Sequence, residues 1–136
     1  FVSSMHELPP AMLARFTLID YDREMALVAV HKERVANDDG SFSETERIIG
    51  VSRYVTNPDQ STCEFSLVVA DDFAGQGLGS RLMQSIMDVA RDKGLSEIEG
   101  LVLVHNPGML RLMNSLGFTV KTYAEDPDFK LVSHRL

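Results

Sequence analysis

A glycine-rich segment between a strand pattern and a helix pattern constrains this chain most. Residues 63–70 (CEFSLVVA) form an apolar, β-branched run that predicts a buried strand. From Leu78 to Ala90, apolar residues recur at helical spacing. Gly75, Gly77 and Gly79 therefore lie where a strand turns into a helix N-terminus. Such a turn favours anions, because unpaired backbone N–H groups and the positive end of the helix dipole point outward.

Three interpretations of this loop compete. A Walker A loop requires a Lys after the glycines, and none follows them. The dinucleotide pattern GxGxxG can begin at Gly75, but its third glycine position holds Ser80. The third interpretation is a glycine turn that binds no ligand.

A second motif lies about thirty residues downstream. Residues 106–118 (NPGMLRLMNSLGF) follow an apolar strand pattern at 98–104, and they predict a short helix with one apolar face. Gly117 is placed to end that helix, and Phe118 to begin another strand. By itself this segment is equally typical of an ordinary core helix.

Together the two motifs resemble the GNAT acetyltransferases. In that family a strand, a loop of the form [QR]-x-x-G-x-[GA] and a helix bind the pyrophosphate of acetyl-CoA. A second strand and an N-x-x-[AM]-x-x-[FL]-x-x-x-x-G-F helix hold the pantetheine side. Positions 63–118 match that order, and residues 1–131 resemble more specifically the C-terminal domain of bacterial protein lysine acetyltransferases.

The resemblance implies an α/β GNAT fold. Its sheet is mixed and mostly antiparallel, with a splayed pair of parallel strands flanked by helices. The cosubstrate acetyl-CoA enters the gap between the splayed strands. A backbone N–H of Val68 or Val69 would meet the thioester carbonyl. The implied cofactor-binding residues are Val68, Val69, Gly75, Gln76, Gly77, Leu78, Gly79, Ser80, Asn106 and Met109.

A base is needed because a free lysine, with a pKa near ~10.4, must lose a proton before it attacks. Glu64 is the only carboxylate in its strand, and alternation places it on the face of Ser66 and Val68. Several family members carry Glu near this position, so we expect Glu64 to be the catalytic base, partly buried beside an apolar cleft. His105 is the alternative base, and a salt-bridging role for Glu64 is the structural alternative.

Two positions depart from the family pattern. Ala74 stands where Gln or Arg is usual, which removes a side-chain contact to phosphate. Met113 stands where many members place a Tyr that protonates the departing thiolate, so no general acid is assigned. Asn106 could bridge the strand and the cofactor, or it could cap the helix at Pro107 without any ligand.

The rest of the chain fits the same fold. Pro9 and Pro10 predict a helix within residues 1–20, and the first strand of the family is expected to be missing. Residues 25–32 and 47–55 predict a hairpin joined by a polar loop at 36–46, and residues 63–70 complete a three-stranded meander. The closing strands are predicted at 118–123 and 129–134.

Composition excludes several functions. The chain has 136 residues and a net charge of −7 with no basic block, so nucleic acid is not an expected partner. No apolar run has the ~20 residues of a membrane span, and the four His residues and Cys63 lack metal-ligand spacing. A lone Cys is typical of a cytoplasmic protein.

We therefore predict that residues 1–136 form one GNAT acetyltransferase domain, a fragment of a larger chain. Its expected reaction is transfer of an acetyl group from acetyl-CoA to an amine by direct attack. The expected acceptor is a protein lysine, with an acyl-CoA synthetase as the implied partner. The alternatives are a small-molecule amine N-acetyltransferase and a non-catalytic domain that senses acyl-CoA.

Overall fold

The computed structural model describes residues 14–20 and 23–136, and their strands form a seven-stranded sheet in the order β1-β2-β3-β4-β5-β7-β6. The elements are β1 (Ala14–Asp20), β2 (Glu24–Ala36), β3 (Phe42–Thr56), β4 (Thr62–Val69), a 3₁₀ turn (Asp71–Phe73), α1 (Leu78–Asp92), β5 (Glu97–Leu103), α2 (Pro107–Ser115), β6 (Thr119–Thr122) and β7 (Phe129–Arg135).

The first four strands form an antiparallel meander, one strand more than predicted. The additional strand is β1, which pairs along its whole length with β2. The helix prediction for residues 1–20 is therefore wrong from Ala14 onward, because pairing with β2 overrides the local helix signal. Pro9, Pro10 and the expected missing first strand lie outside the described residues.

The β2–β3 hairpin is longer than predicted. A tight turn at residues 37–41 joins the strands, so the predicted loop at 36–46 is wrong over most of its length. Its polar residues lie in cross-strand pairs, including Arg34 opposite Glu44. Both sides of this arm are exposed, so it shows no alternation of apolar and polar residues.

The predicted parallel pair and its splay are confirmed. β4 and β5 are paired only from Thr62 opposite Glu97 to Glu64 opposite Glu99. Beyond Glu99, β5 continues in register with β7, while β4 continues in register with β3. A gap therefore opens between β4 and β5 toward their carboxyl ends, the edge at which open α/β sheets bind ligands.

Helix α1 covers one face of the sheet, which we call the inner face. Leu78, Leu82 and Ile86 are almost fully buried against it. The buried Ser52 hydroxyl donates to the Leu82 carbonyl at 3.0 Å, so this polar group is satisfied. Gly50 lets α1 approach closely, because a Cβ there would lie 2.7 Å from Leu82 Cδ1. In the part of the chain that the structure describes, no helix is long and apolar enough to span a bilayer.

The opposite, outer face carries the second set of alternating side chains around the gap. Glu64, Ser66 and Val68 of β4 are exposed on this face, as is Leu101 of β5. Val68 is 67% exposed and Leu101 38% exposed, which is unusual for apolar residues in the middle of a sheet. The gap is therefore bordered by α1 on the inner face and by exposed apolar and acidic side chains on the outer face.

Candidate active site

The glycine loop has the backbone of an anion site. Gly75 and Gly77 have φ values of 77° and 81°, in the left-handed region that favours glycine. Gly77 is the N-cap of α1 and offers no side chain to the first N–H groups of the helix. The N–H groups of Leu78, Gly79 and Ser80 have no intrahelical acceptor at this position, so an anionic ligand can accept from them.

Gly79 has a different role from the other two glycines. A Cβ at this position would lie 3.2 Å from Leu112 Cδ2 of α2, a tight contact. The glycine therefore allows the first turn of α1 to pack against α2. This contact places α2 next to the anion site, although the two helices are separated by β5 in sequence.

An ion pair connects β3 to the 3₁₀ turn that precedes the glycine loop. The Arg47 guanidinium on β3 donates two hydrogen bonds to the Asp72 carboxylate, at 2.9 and 2.5 Å. These bonds hold the pKa of Asp72 below its usual value and raise the pKa of Arg47. The same guanidinium lies 5.5 Å from the centre of the Phe73 ring, and the Gln76 amide donates to the Asp72 carbonyl at 3.2 Å. No sequence pattern linked Arg47 to the loop.

A cavity of about 790 Å³ begins at the loop and extends between the carboxyl end of β4 and α2. Eight of the ten predicted cofactor residues line it, and the two exceptions are Gln76 and Leu78. Leu78 is 1% exposed in the core, which leaves only its backbone N–H for a ligand. The cavity is lined by Leu67, Val68, Val69, Asp71, Phe73, Ala74, Gly75, Gly77, Gly79, Ser80, Asn106, Gly108, Met109, Arg111, Leu112 and Ser115.

Helix α2 contributes one face to the cavity. Asn106 is its N-cap, and the side-chain Oδ1 accepts from the Met109 N–H at 3.1 Å. The cap interpretation of Asn106 is therefore correct, and this residue also lines the cavity. Sequence reasoning missed Arg111 and Ser115, although their spacing from Gly108, three and seven residues, places all three on one helix face.

The edge of β4 that faces the gap is open. The Ala70 N–H donates to the Ile49 carbonyl of β3 at 2.8 Å. Because successive N–H groups along a strand point to opposite sides, the Val69 N–H points away from β3 and into the gap. Of the two predicted donors to the thioester carbonyl, alternation therefore favours Val69.

Glu64 lies where β4 and β5 are still paired, on the predicted face but more exposed than expected. The expectation of partial burial is wrong, because Glu64 is exposed and none of the described residues covers the outer face above it. Glu64 is also absent from the cavity lining. Its register partner Glu99 is half-buried, and burial, followed by repulsion from Glu97, Glu64 and Asp59, raises the pKa of that carboxyl. His105, the alternative base, is exposed after β5.

Cys63 is on the inner face and fully buried. Burial, followed by the Glu99 charge, raises the pKa of its thiol to about 12. A thiol that keeps its proton is a poor nucleophile, so this geometry agrees with direct attack by the amine rather than an acetyl-cysteine intermediate.

The model of the acetyltransferase (GNAT) family matches residues 6–118. The chain belongs to the GNAT acetyltransferase family. Members of the family use acetyl-CoA as the acyl donor, and the cavity has the loop, the gap and the size to hold this cosubstrate.

Two curated acetyltransferases are similar to this chain. The chain is 34% identical to acetyltransferase PA5475 of Pseudomonas aeruginosa over 137 residues, which cover all of this chain and 67% of the relative. It is 32% identical to acetyltransferase Pat of Mycolicibacterium smegmatis over 71 residues, 52% of this chain and 21% of Pat. The resemblance to the C-terminal domain of bacterial acetyltransferases of the Pat type is confirmed.

Solved structures show the same GNAT fold. The GNAT domain of S. lividans PAT superposes with a TM-score of 0.67 at 21% identity, over 86% of this chain and 64% of that chain. Campylobacter jejuni N-acetyltransferase PseH, solved in complex with acetyl coenzyme A, gives a TM-score of 0.59 at 23% identity, over 85% of this chain and 70% of that one. The chain therefore spans less than two thirds of the PAT domain.

Proposed function

We propose that this protein transfers the acetyl group of acetyl-CoA to the amine of a protein lysine by direct attack. The observation that carries the proposal is the position of the gap. The cavity with its anion loop extends along the end of β4 that faces the gap, beside α1 and α2, while no residue that the structure describes covers the exposed outer face of β4 and β5. Cosubstrate and acceptor can therefore meet at the thioester from opposite faces of the sheet.

The chemistry of the outer face supports a long aliphatic amine as acceptor. Exposed Val68 and Leu101 offer apolar contact to the methylene groups of a lysine side chain. Glu64 and Glu99 lie opposite each other on the paired segment, where their carboxylates attract an ammonium group. The similarity to acetyltransferase Pat supports a protein acceptor, in line with the sequence resemblance to bacterial protein lysine acetyltransferases.

We propose Glu64 as the base that takes the proton from the lysine ammonium. Its face is open to the acceptor, and its strand supplies the Val69 N–H that would meet the thioester carbonyl. Glu99 is the second candidate base, because burial, followed by repulsion from neighbouring carboxylates, raises its pKa and makes the carboxylate a stronger proton acceptor. The departing thiolate is a good leaving group, so water can protonate it.

We also propose a protein partner and a cellular location. An acyl-CoA synthetase that carries a reactive lysine is our proposed protein partner, and the unpaired Cys63 supports a reducing, cytoplasmic location. Two other functions remain as outcomes of the test below. These are acetylation of a small-molecule amine and non-catalytic sensing of acyl-CoA.

The test measures thiol release from acetyl-CoA with an acyl-CoA synthetase, with free polyamines and with amino acids. We expect release with the protein acceptor and a loss of kcat/KM of about 10²–10⁴ in Glu64→Gln, with unchanged acetyl-CoA affinity. Glu97→Gln is the matched control, since it removes a charge from the outer face of β5.

Each alternative gives a distinct result. Release with small amines alone would assign a metabolite acetyltransferase. A loss confined to Glu99→Gln would transfer the role of base to Glu99. Tight acetyl-CoA binding without release from any acceptor would favour the sensing function.

A further inference from the structure

The cavity contains a cationic side chain that makes no ion pair within the described part of the chain. Arg111 is exposed on the cavity face of α2. Among residues 17–19 and 23–136, no carboxylate lies within 4 Å of its guanidinium. By contrast, Arg47, Arg53 and Arg91 are each paired with an acidic side chain.

Helix packing places Arg111 beside the anion loop. Its neighbour Leu112 is the residue that contacts Gly79, with 3.2 Å between Leu112 Cδ2 and the position of an added Cβ. The first turn of α1 and the middle of α2 are therefore adjacent, and both line the same cavity as Gly75 and Gly77. A ligand held by the N–H groups of this loop lies within reach of the Arg111 side chain.

The same cavity lacks a phosphate-binding side chain where the sequence pattern places one. Ala74 lines the cavity immediately before Gly75, and its methyl group makes no polar contact. Acetyl-CoA carries a diphosphate and a ribose 3′-phosphate. Apart from Arg111, Asp71 is the only charged residue in the described lining, and its charge opposes such a ligand.

We propose that Arg111 is the cation that binds the diphosphate of acetyl-CoA, and that it replaces from α2 the side chain that Ala74 lacks. The guanidinium suits this role because it can donate two parallel hydrogen bonds to one phosphate. The loop N–H groups hold the diphosphate from one side, and Arg111 neutralises it from the other. This inference rests on the family's acyl donor and not on the identity of the acceptor.

The experiment measures the dissociation constant of acetyl-CoA by calorimetry, with no acceptor present. It uses Arg111→Ala, Arg111→Lys and the matched control Arg91→Ala, an exposed Arg on α1 that does not line the cavity. We expect Arg111→Ala to bind about tenfold more weakly, Arg111→Lys to recover part of the loss, and Arg91→Ala to match the parent. Circular dichroism establishes that each variant is folded.

A second set of measurements tests whether a side chain at position 74 can replace Arg111, and which phosphate Arg111 contacts. Ala74→Arg, made in the Arg111→Ala background, should restore binding toward that of the parent. With 3′-dephospho-CoA the effect of Arg111→Ala should persist, because the diphosphate is still present. Raising the salt concentration should reduce the difference between parent and Arg111→Ala, since the lost contact is electrostatic.

Three results would overturn the proposal. The first is Arg111→Ala binding within twofold of the parent. The second is an equal loss in Arg91→Ala, which would show a general effect of surface charge. The third is a loss that vanishes with 3′-dephospho-CoA, which would move the contact to the 3′-phosphate. Failure of lysine acetylation would leave all of these binding results unchanged, so the two proposals are separable.

Discussion

Gly100 is the position where a single methyl group should disturb both stability and cosubstrate binding. It follows Glu99, the last β5 residue paired with β4. A Cβ at Gly100 would lie 2.6, 2.9 and 2.9 Å from three atoms of the Phe65 ring. Phe65 in turn packs edge-on against Phe118, with ring centroids 5.6 Å apart, and both rings are buried. The ring is therefore confined between the backbone at Gly100 and the ring of Phe118.

The magnitude follows from overpacking. Adding a methyl to a filled core costs about 1–3 kcal/mol, and the reduced entropy of the unfolded chain returns about 0.4–1 kcal/mol. We expect Gly100→Ala to lower the free energy of unfolding by about 1–2 kcal/mol. For a chain of 136 residues this corresponds to a fall in Tm of about 4–7 °C. Because Phe65 is the first β4 residue beyond the paired segment, acetyl-CoA affinity should fall as well.

Urea unfolding followed by circular dichroism measures this change. Gly108→Ala is the matched control. Apart from chain neighbours and the backbone of its own helix, the atom nearest to the added Cβ is Arg111 Nη2, at 3.8 Å. Gly50→Ala is an intermediate case, because its 2.7 Å contact is with one methyl of a flexible leucine. A Gly100→Ala protein as stable as Gly108→Ala would refute the packing argument. In a double-mutant cycle, Phe65→Leu should relieve part of the penalty.

Two further predictions concern Cys63 and Asn106. Because the pKa of the buried Cys63 thiol is raised from 9.0 to about 12, the stability due to its protonated form is complete below about pH 8.5 and is lost as the pH rises toward 12. Parent stability should therefore fall more steeply than that of Cys63→Ala between pH 8.5 and 10.5 in urea titrations, and parallel curves would contradict this. Asn106→Ala should lower the free energy of unfolding by about 1 kcal/mol through loss of the cap to the Met109 N–H, whereas Asn106→Asp should preserve it. Equal losses in the two Asn106 variants, measured by thermal unfolding, would exclude the cap as the cause.

The local elements of the site could be predicted from the sequence because their signals are local. Glycines with positive φ at 75 and 77 follow from turn chemistry, and the start of α1 at Leu78 follows from helical periodicity. The cap of α2 at Asn106 has the same origin. The order of these elements was sufficient to indicate the family, and with it the splayed parallel strands.

What the sequence did not reveal depends on contacts between distant segments. β1 is a strand because β2 supplies its hydrogen-bond partners, and Glu64 is exposed because nothing in the described part of the chain covers the outer face. Arg47 reaches Asp72 across 25 positions, and Arg111 lines the same cavity as the glycine loop because its neighbour Leu112 packs on Gly79. The sequence by itself therefore determined which backbone groups can bind a phosphate and in what order they occur. Only the tertiary structure decided which side chains line the cavity beside those groups, because a side chain's neighbours depend on helix packing and strand register, which no local pattern encodes.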